Sequence, residues 1–240
     1  MTFFNRHIPV LMYHKVHEVG TDFLTVSTAQ LEKHFQYIKR KNYSTISVKQ
    51  LVDFQLGKGG LPSHPILITF DDAHVSFEKL ALPILDQNGF KATVFIPTNL
   101  LGTHHRDCGE ILDLKAIQKI QVENPNIEYA LHTHNHLAIT QLSDFEIEKE
   151  ISDNISFFKL NQLNFTASLA YPYGARPISE VEKNKLYSIF QKHGIESAFR
   201  IGNRLNPHEI KELFDINRLD IRGTDSYLNF LFKINFGKLF

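Results

Sequence analysis

Short apolar runs of strand length recur along the chain: IPVLMYH (8–14), PILITFDD (65–72), KATVFIPT (91–98), IEYALHT (127–133), TASLAYPY (166–173), SAFRIG (197–202) and INRLDI (216–221). Runs of this length, rich in β-branched residues and bounded by polar or turn residues, read as buried strands. Helical patterns with start signals separate most of them. Ser27 with Gln30 forms a capping box before Leu31, Phe35 and Ile38, which share one helix face, and Ser47 with Gln50, Ser143 with Glu146 and Ser179 with Glu182 repeat the device. After Ser143, the set Ile147, Ile151, Ile155 and Phe158 keeps helical spacing for three turns. Gly89 and Gly194 suit the left-handed position just past a helix end. Strand and helix thus alternate through mostly short loops, which predicts an α/β fold with a parallel sheet covered by helices. About seven strands leave open a (β/α) barrel and an open doubly wound sheet. No repeat, low-complexity tract or long linker interrupts the pattern, so residues 1–240 are expected to form one domain, with 56–65 (LGKGGLPSHP) a loop inside it.

Polar chemistry collects where these strands end. Their C-terminal ends carry His14, Asp71 with Asp72, His132, and Pro172-Tyr173-Gly174, with Arg218 in the last strand. In α/β barrels and open sheets, ligands bind at that end. His132 and His136 lie four positions apart in HTHNH. Along a strand that spacing spans ~13 Å, but on a helical turn it brings two side chains to within ~6 Å. The pair can share one ion only if the chain turns at Thr133, which sends His134 elsewhere. Asp72 with these histidines would give three protein ligands and an open coordination position, the pattern of a catalytic zinc site. Neighbouring side chains on a strand point to opposite faces, so Asp71 and Asp72 are expected to do different work, with Asp71 free to accept a proton. Capping of the next helix would account for one aspartate but not both.

Composition narrows the partners. Lys plus Arg and Asp plus Glu both total 26, so no global field draws nucleic acid. Thirteen histidines favour metal ligation, and the single Cys108 excludes a disulfide within the chain. The first residues, MTFFNRHIPVLMYHKV, lack a basic region followed by a long apolar stretch, so a cytoplasmic location is expected. The Phe-rich end (225–240) is apolar nearly all round as a helix, and either covers the barrel or touches a membrane surface or partner. In THHRDC (103–108), His104, His105 and Cys108 could be read as a second zinc site; adjacent histidines seldom converge on one ion, so lining of a substrate groove is the expectation.

At these residues the sequence resembles the polysaccharide deacetylase family (the NodB-homology carbohydrate esterases of family 4) from about residue 8 to residue 222. TFDD (69–72) is similar to its first motif, HTHNH (132–136) to its second, and AYPYG (170–174) to its third, where Ala170 replaces the family's arginine. The front segment VLMYHKV is similar to the circularly permuted poly-N-acetylglucosamine deacetylases, whose N-terminal strand supplies a histidine. The resemblance implies a deformed (β/α)7, TIM-like barrel that removes acetyl groups from an N-acetylated glycan. It implies one divalent cation on Asp72, His132 and His136, with zinc expected and cobalt, nickel or manganese also suited. By the same resemblance Asp71 is the general base, His14 the general acid, and the Tyr173 backbone N–H part of the oxyanion hole. Arg218 is the candidate replacement for the missing arginine, the alternative being an ordinary surface residue; a lone strand histidine such as His14 can equally be a core residue. Thr133, Pro172, Tyr173, Gly174 and, at the rim, His74 are expected to contact substrate. Loss of the third-motif arginine favours a rival reading, a catalytically impaired carbohydrate-binding protein on the same fold. Phosphoester hydrolysis ranks last, since no Gly-rich phosphate loop is present.

Overall fold

The computed structural model describes residues 7–20 and 22–237. Seven strands form its centre: β1 (Val10–Tyr13), β2 (Pro65–Asp71), β3 (Ala92–Ile96), β4 (Ile127–Leu131), β5 (Thr166–Ala170), β6 (Ser197–Ile201) and β7 (Ile216–Asp220). Each pairs in parallel with the next in chain order, and β7 pairs with β1, so the sheet closes into a barrel. Closure decides between the two architectures the strand pattern left open. A two-residue strand, Ser44–Thr45, also pairs with Pro65 and Ile66 at the start of β2.

Helices α1 (Thr28–Arg40) and α2 (Val48–Gln55) lie between β1 and β2. They are followed by α3 (Leu82–Asn88), α4 (Leu114–Glu123), α5 (Asp144–Leu160), α6 (Glu180–Lys192) and, after β7, α7 (Tyr227–Phe236). The boxes at Ser27, Ser47 and Ser143 are reciprocal as expected. At Ser179 only half forms: its hydroxyl accepts the Glu182 N–H, but the Glu182 carboxylate takes the Ser179 hydroxyl instead of the backbone N–H. Asp113 and Ser226 cap α4 and α7.

Strand alternation divides the buried residues. Leu11, Tyr13, Ile66, Ile68, Phe70, Val94 and Leu131 join the layer packed under the helices. Val10, Leu67, Phe95, Ala130, Phe199 and Ile216 form a second cluster, the barrel's interior. Below it the Glu128 carboxylate accepts the Val48 and Lys49 N–H groups at the start of α2 and the hydroxyls of Thr93 and Thr166. That anion at a helix N-terminus closes the end of the barrel opposite the strand tips.

The C-terminal helix settles partly on the barrel: Phe230 and Ile234 are buried, with Phe230 stacked on His34 of α1, while Leu228, Phe232 and Phe236 face outward. Residues 238–240 lie outside the described residues. Among the described residues no helix is long and apolar enough to cross a membrane.

Candidate active site

The strand-end residues converge on one cleft, lined among others by His14, Asp71, Asp72, Cys108, His132, His136 and Tyr173. Its cavity volume is about 280 Å³, at the small end of small-ligand sites (~300–1,000 Å³).

Asp71 is the last residue of β2, and Asp72 already has a left-handed backbone, φ 70°. The expected alternation therefore fails here. Asp71 and Asp72 do not face opposite sides of the sheet: Asp71 Oδ2 and Asp72 Oδ1 lie 3.9 and 3.4 Å from the same His132 Nε2. What separates them is their partners. The Asp71 carboxylate is gripped from two strands away by the Arg218 guanidinium, through Nη1–H to Oδ1 (2.6 Å) and Nη2–H to Oδ2 (2.7 Å). Arg218 has no exposure at all and its guanidinium lies 5.3 Å from the Phe95 ring centre, so it is no surface arginine. Burial by itself would push the Asp71 carboxyl up, but Arg218, with His132 and His14, holds it below the usual carboxylate range. His14 Nε2 stands 3.9 Å from Asp71 Oδ2.

Asp72 Oδ1, by contrast, is buried without a hydrogen-bond partner, and faces His132 Nε2 at 3.4 Å and His136 Nε2 at 3.2 Å. The other nitrogens of both rings are engaged elsewhere. His132 Nδ1 donates to the Ala170 carbonyl at 2.8 Å, and His136 Nδ1 lies 3.7 Å from the Cys108 sulfur. That arrangement leaves the Nε2 lone pairs and an orphaned carboxylate oxygen aimed at one point, which is what a cation requires of its ligands. Asp72, His132 and His136 therefore fit a divalent ion. Burial would raise Asp72, yet His132, His14 and His136 hold it well below the usual range, while burial and the charge of His132 lower His136 to about 4.

The second-motif turn forms as the spacing requires. The chain leaves β4 at Leu131, Thr133 adopts φ 60°, and His136 adopts φ 58°. Left-handed backbone costs a non-glycine residue ~1–2 kcal/mol. Two buried residues of α5 oppose that cost. Glu150 accepts the N–H groups of His134 and Asn135 and the Asn135 amide, and Asn154 accepts the His132 N–H while donating to Ile96 O and Thr98 Oγ1. Thr98 Oγ1 also meets His134 Nδ1, so His134 turns away from the cleft. Neither Glu150 nor Asn154 figured in the sequence reading. Their signal was there, since both fall on the apolar stripe of α5 beside Ile147 and Ile151.

Tyr173 adopts φ 58° in a short turn closed by the N–H groups of Gly174 and Ala175, so its own N–H is left out of the turn's bonding. Its ring packs 4.7 Å from that of His136, and its hydroxyl donates to Asp107. Gly174, φ 66°, admits no side chain: a Cβ would stand 3.0 Å from Ile201.

Several expected substrate contacts fall elsewhere. His74 does not line the cleft; its Nδ1 meets Ser76 Oγ at 2.8 Å, and its ring packs against Gly109. Thr133 and Pro172 are buried behind the surface and shape the backbone instead. Met12, Phe23, Leu24, Asp107, Ile201, Asp220 and Arg222 line the cleft without having been anticipated. Arg222 is held there by Asp220 at 2.7 Å and by the Phe23 ring.

Comparison with known proteins agrees with this geometry. The chain is 28% identical over 168 residues to YxkH of Bacillus subtilis, a candidate polysaccharide deacetylase, covering 70% of this chain and 57% of that one. It is 23% identical over 185 residues to a poly-β-1,6-N-acetyl-D-glucosamine N-deacetylase of Staphylococcus epidermidis, covering 74% and 61%. The chain thus spans about three fifths of the length of these relatives. In fold it is similar to the Streptococcus pyogenes deacetylase PplD solved with acetate (TM-score 0.79, 22% identity, 95% of this chain and 98% of that one). IcaB from Ammonifex degensii is similar in the same way (0.78, 18%, 95% and 95%). The polysaccharide deacetylase profile matches residues 58–198, the span that carries Asp71 and Asp72, the histidine turn and Tyr173. On that match, more than half of its length, the chain belongs to the polysaccharide deacetylase family.

Proposed function

We propose that the chain is a metal-dependent N-deacetylase of an N-acetylated glycan, hydrolysing the acetamide to acetate and a free sugar amine. The observation that carries this reading is the division of labour between neighbouring carboxylates. Asp71 is paired with a buried guanidinium that takes one lone pair on each oxygen and leaves others free, whereas Asp72 Oδ1 is left unpaired against two imidazole lone pairs.

Asp72, His132 and His136 would hold the cation. A divalent ion bound there supplies Lewis acidity to water and to the acyl carbonyl. Asp71, kept ionised by Arg218, accepts the proton of the attacking water. A carboxylate held low is a weak base, so it suits water that is already acidified. The Tyr173 N–H, unused by its own turn, donates to the oxyanion as the carbonyl carbon becomes tetrahedral. His14 gives a proton to the departing nitrogen. Arg218 touches no substrate; it positions and ionises Asp71 from β7 and takes over what Ala170 no longer provides, which weakens the case for an inactive binding protein.

Acetate release from N-acetylglucosamine oligomers, measured beside metal content, tests the roles. Asp71→Asn is expected to keep the cation and lose turnover, and Asp72→Asn to lose both. Wild-type turnover in Asp71→Asn would overturn the base assignment, and full metal content in Asp72→Asn the ligand assignment.

A further inference from the structure

We infer that the cleft contains a second cation site, built from His105, Cys108 and the far nitrogen of His136, selective for a thiophilic ion such as Zn²⁺ or Cd²⁺. Ligand atoms of these three residues all lie within 4.8 Å of one another. His136 Nδ1 and the Cys108 sulfur are 3.7 Å apart. Sulfur at ~2.3 Å and nitrogen at ~2.1 Å from a tetrahedral ion stand about 3.6 Å apart, so this pair is already spaced as ligands. His105 is held beside them by the Asp107 and Cys108 N–H groups, which point at its Nδ1, and its ring centre lies 6.0 Å from that of His136. His104, the adjacent histidine, lines a different hollow with Val75 and Glu78, so the objection that neighbouring histidines diverge applies to His104 and leaves this trio intact.

The donor set differs in kind from that of the first site. One thiolate and two imidazoles favour softer ions, whereas a carboxylate and two imidazoles accept several. The site rests on the assignment of Asp72, His132 and His136 to the first ion, because His136 would bridge the two through its ring. Binding of the second ion displaces two protons to solvent, one from the Cys108 thiol and one from His136 Nδ1. His105, whose Nδ1 accepts two backbone N–H groups, gives up those bonds as its proton moves from Nε2 to Nδ1 to free a lone pair. These costs make the second site the weaker one, filled when metal is in excess. Cys108 and its neighbour Asp107 line the substrate cleft beside Tyr173, so an ion there occupies space the glycan needs. Inhibition by excess zinc follows.

Titration of the metal-free chain with Cd²⁺ or Co²⁺, followed by bound-metal stoichiometry and ultraviolet absorption, tests the inference. Wild type is expected to bind two equivalents, with sulfur-to-metal charge transfer appearing only with the second, and deacetylation falling in parallel. Cys108→Ser should bind one equivalent without the band, and His105→Ala should weaken the second equivalent by tenfold or more. One equivalent in wild type with no charge-transfer band would overturn the second site and reduce Cys108 to a hydrogen-bond partner of His136. No equivalents in wild type or in Cys108→Ser would instead overturn the first-site reading, so the two failures are distinct.

Discussion

Replacing Arg218 by Met removes the guanidinium but keeps the apolar stem, and so isolates the charge. In the native chain two short charge-assisted bonds, 2.6 and 2.7 Å, tie it to Asp71, and neither side chain reaches solvent appreciably. Breaking a buried pair from one side costs ~3–5 kcal/mol, because the abandoned charge stays buried. Arg218→Met is therefore expected to lose about 3–5 kcal/mol of unfolding free energy at pH 7 in urea melts with chelator present. Adding Asp71→Asn removes the stranded charge and should restore part of that loss, giving a coupling energy of at least ~2 kcal/mol. The pH dependence has a definite sign. In the native chain Asp71 is held below its unfolded value, so its contribution is present above about pH 4 and is lost as pH falls through the folded value. Without Arg218, burial is opposed only by His132 and His14, so the Asp71 carboxyl rises and the variant loses the stability that the native chain gains with pH. The gap between the two proteins should widen from acid to neutral pH. A deficit under ~1 kcal/mol, or one constant across pH, would refute a buried ion pair as the reason Arg218 occupies the barrel.

Other consequences can be checked separately. Glu150→Gln keeps the shape of the α5 clamp but weakens its acceptors for the histidine turn; metal affinity by isothermal titration should fall ~10–100-fold while the melting curve stays cooperative. Ala170→Arg adds a second guanidinium to a barrel interior that already holds one, and should destabilise the chain by ~1–3 kcal/mol or more, with recovery when Arg218→Ala is added. His34, stacked 3.8 Å from Phe230, is lowered to about 3 by burial. Being neutral when folded, it favours unfolding as pH drops below ~6.5, and His34→Leu should flatten the acid limb of the stability curve, about 4 kcal/mol between pH 7 and 3. Gly223→Ala would set a Cβ 1.9 Å from the Thr25 carbonyl, so the loop carrying Phe23 must move; a rise in KM for glycan oligomers with metal affinity unchanged would show it.

The seven strands, three reciprocal capping boxes and the turn at Thr133 were legible in the chain because each is a local matter. Period, cap chemistry and ligand spacing act within a few residues, and neighbours in sequence are neighbours in space. The sequence also places both histidines of the candidate cation site and the paired aspartates at strand ends. Strand alternation misjudged Asp72 because the strand stops one residue earlier and its backbone turns left-handed there.

What the sequence could not decide is everything that depends on closure. Only a ring in which β7 lies beside β1 brings Arg218 under Asp71, 147 positions away. Residues 105–108 come to face His136 without closure, because the loops that carry them follow the directly paired strands β3 and β4. Whether an inward arginine is a stranded charge or a working partner is a question of distance through the barrel, and burial makes the answer matter: in that interior an unpaired charge costs several kcal/mol, so the fold tolerates Arg218 only where a carboxylate already waits.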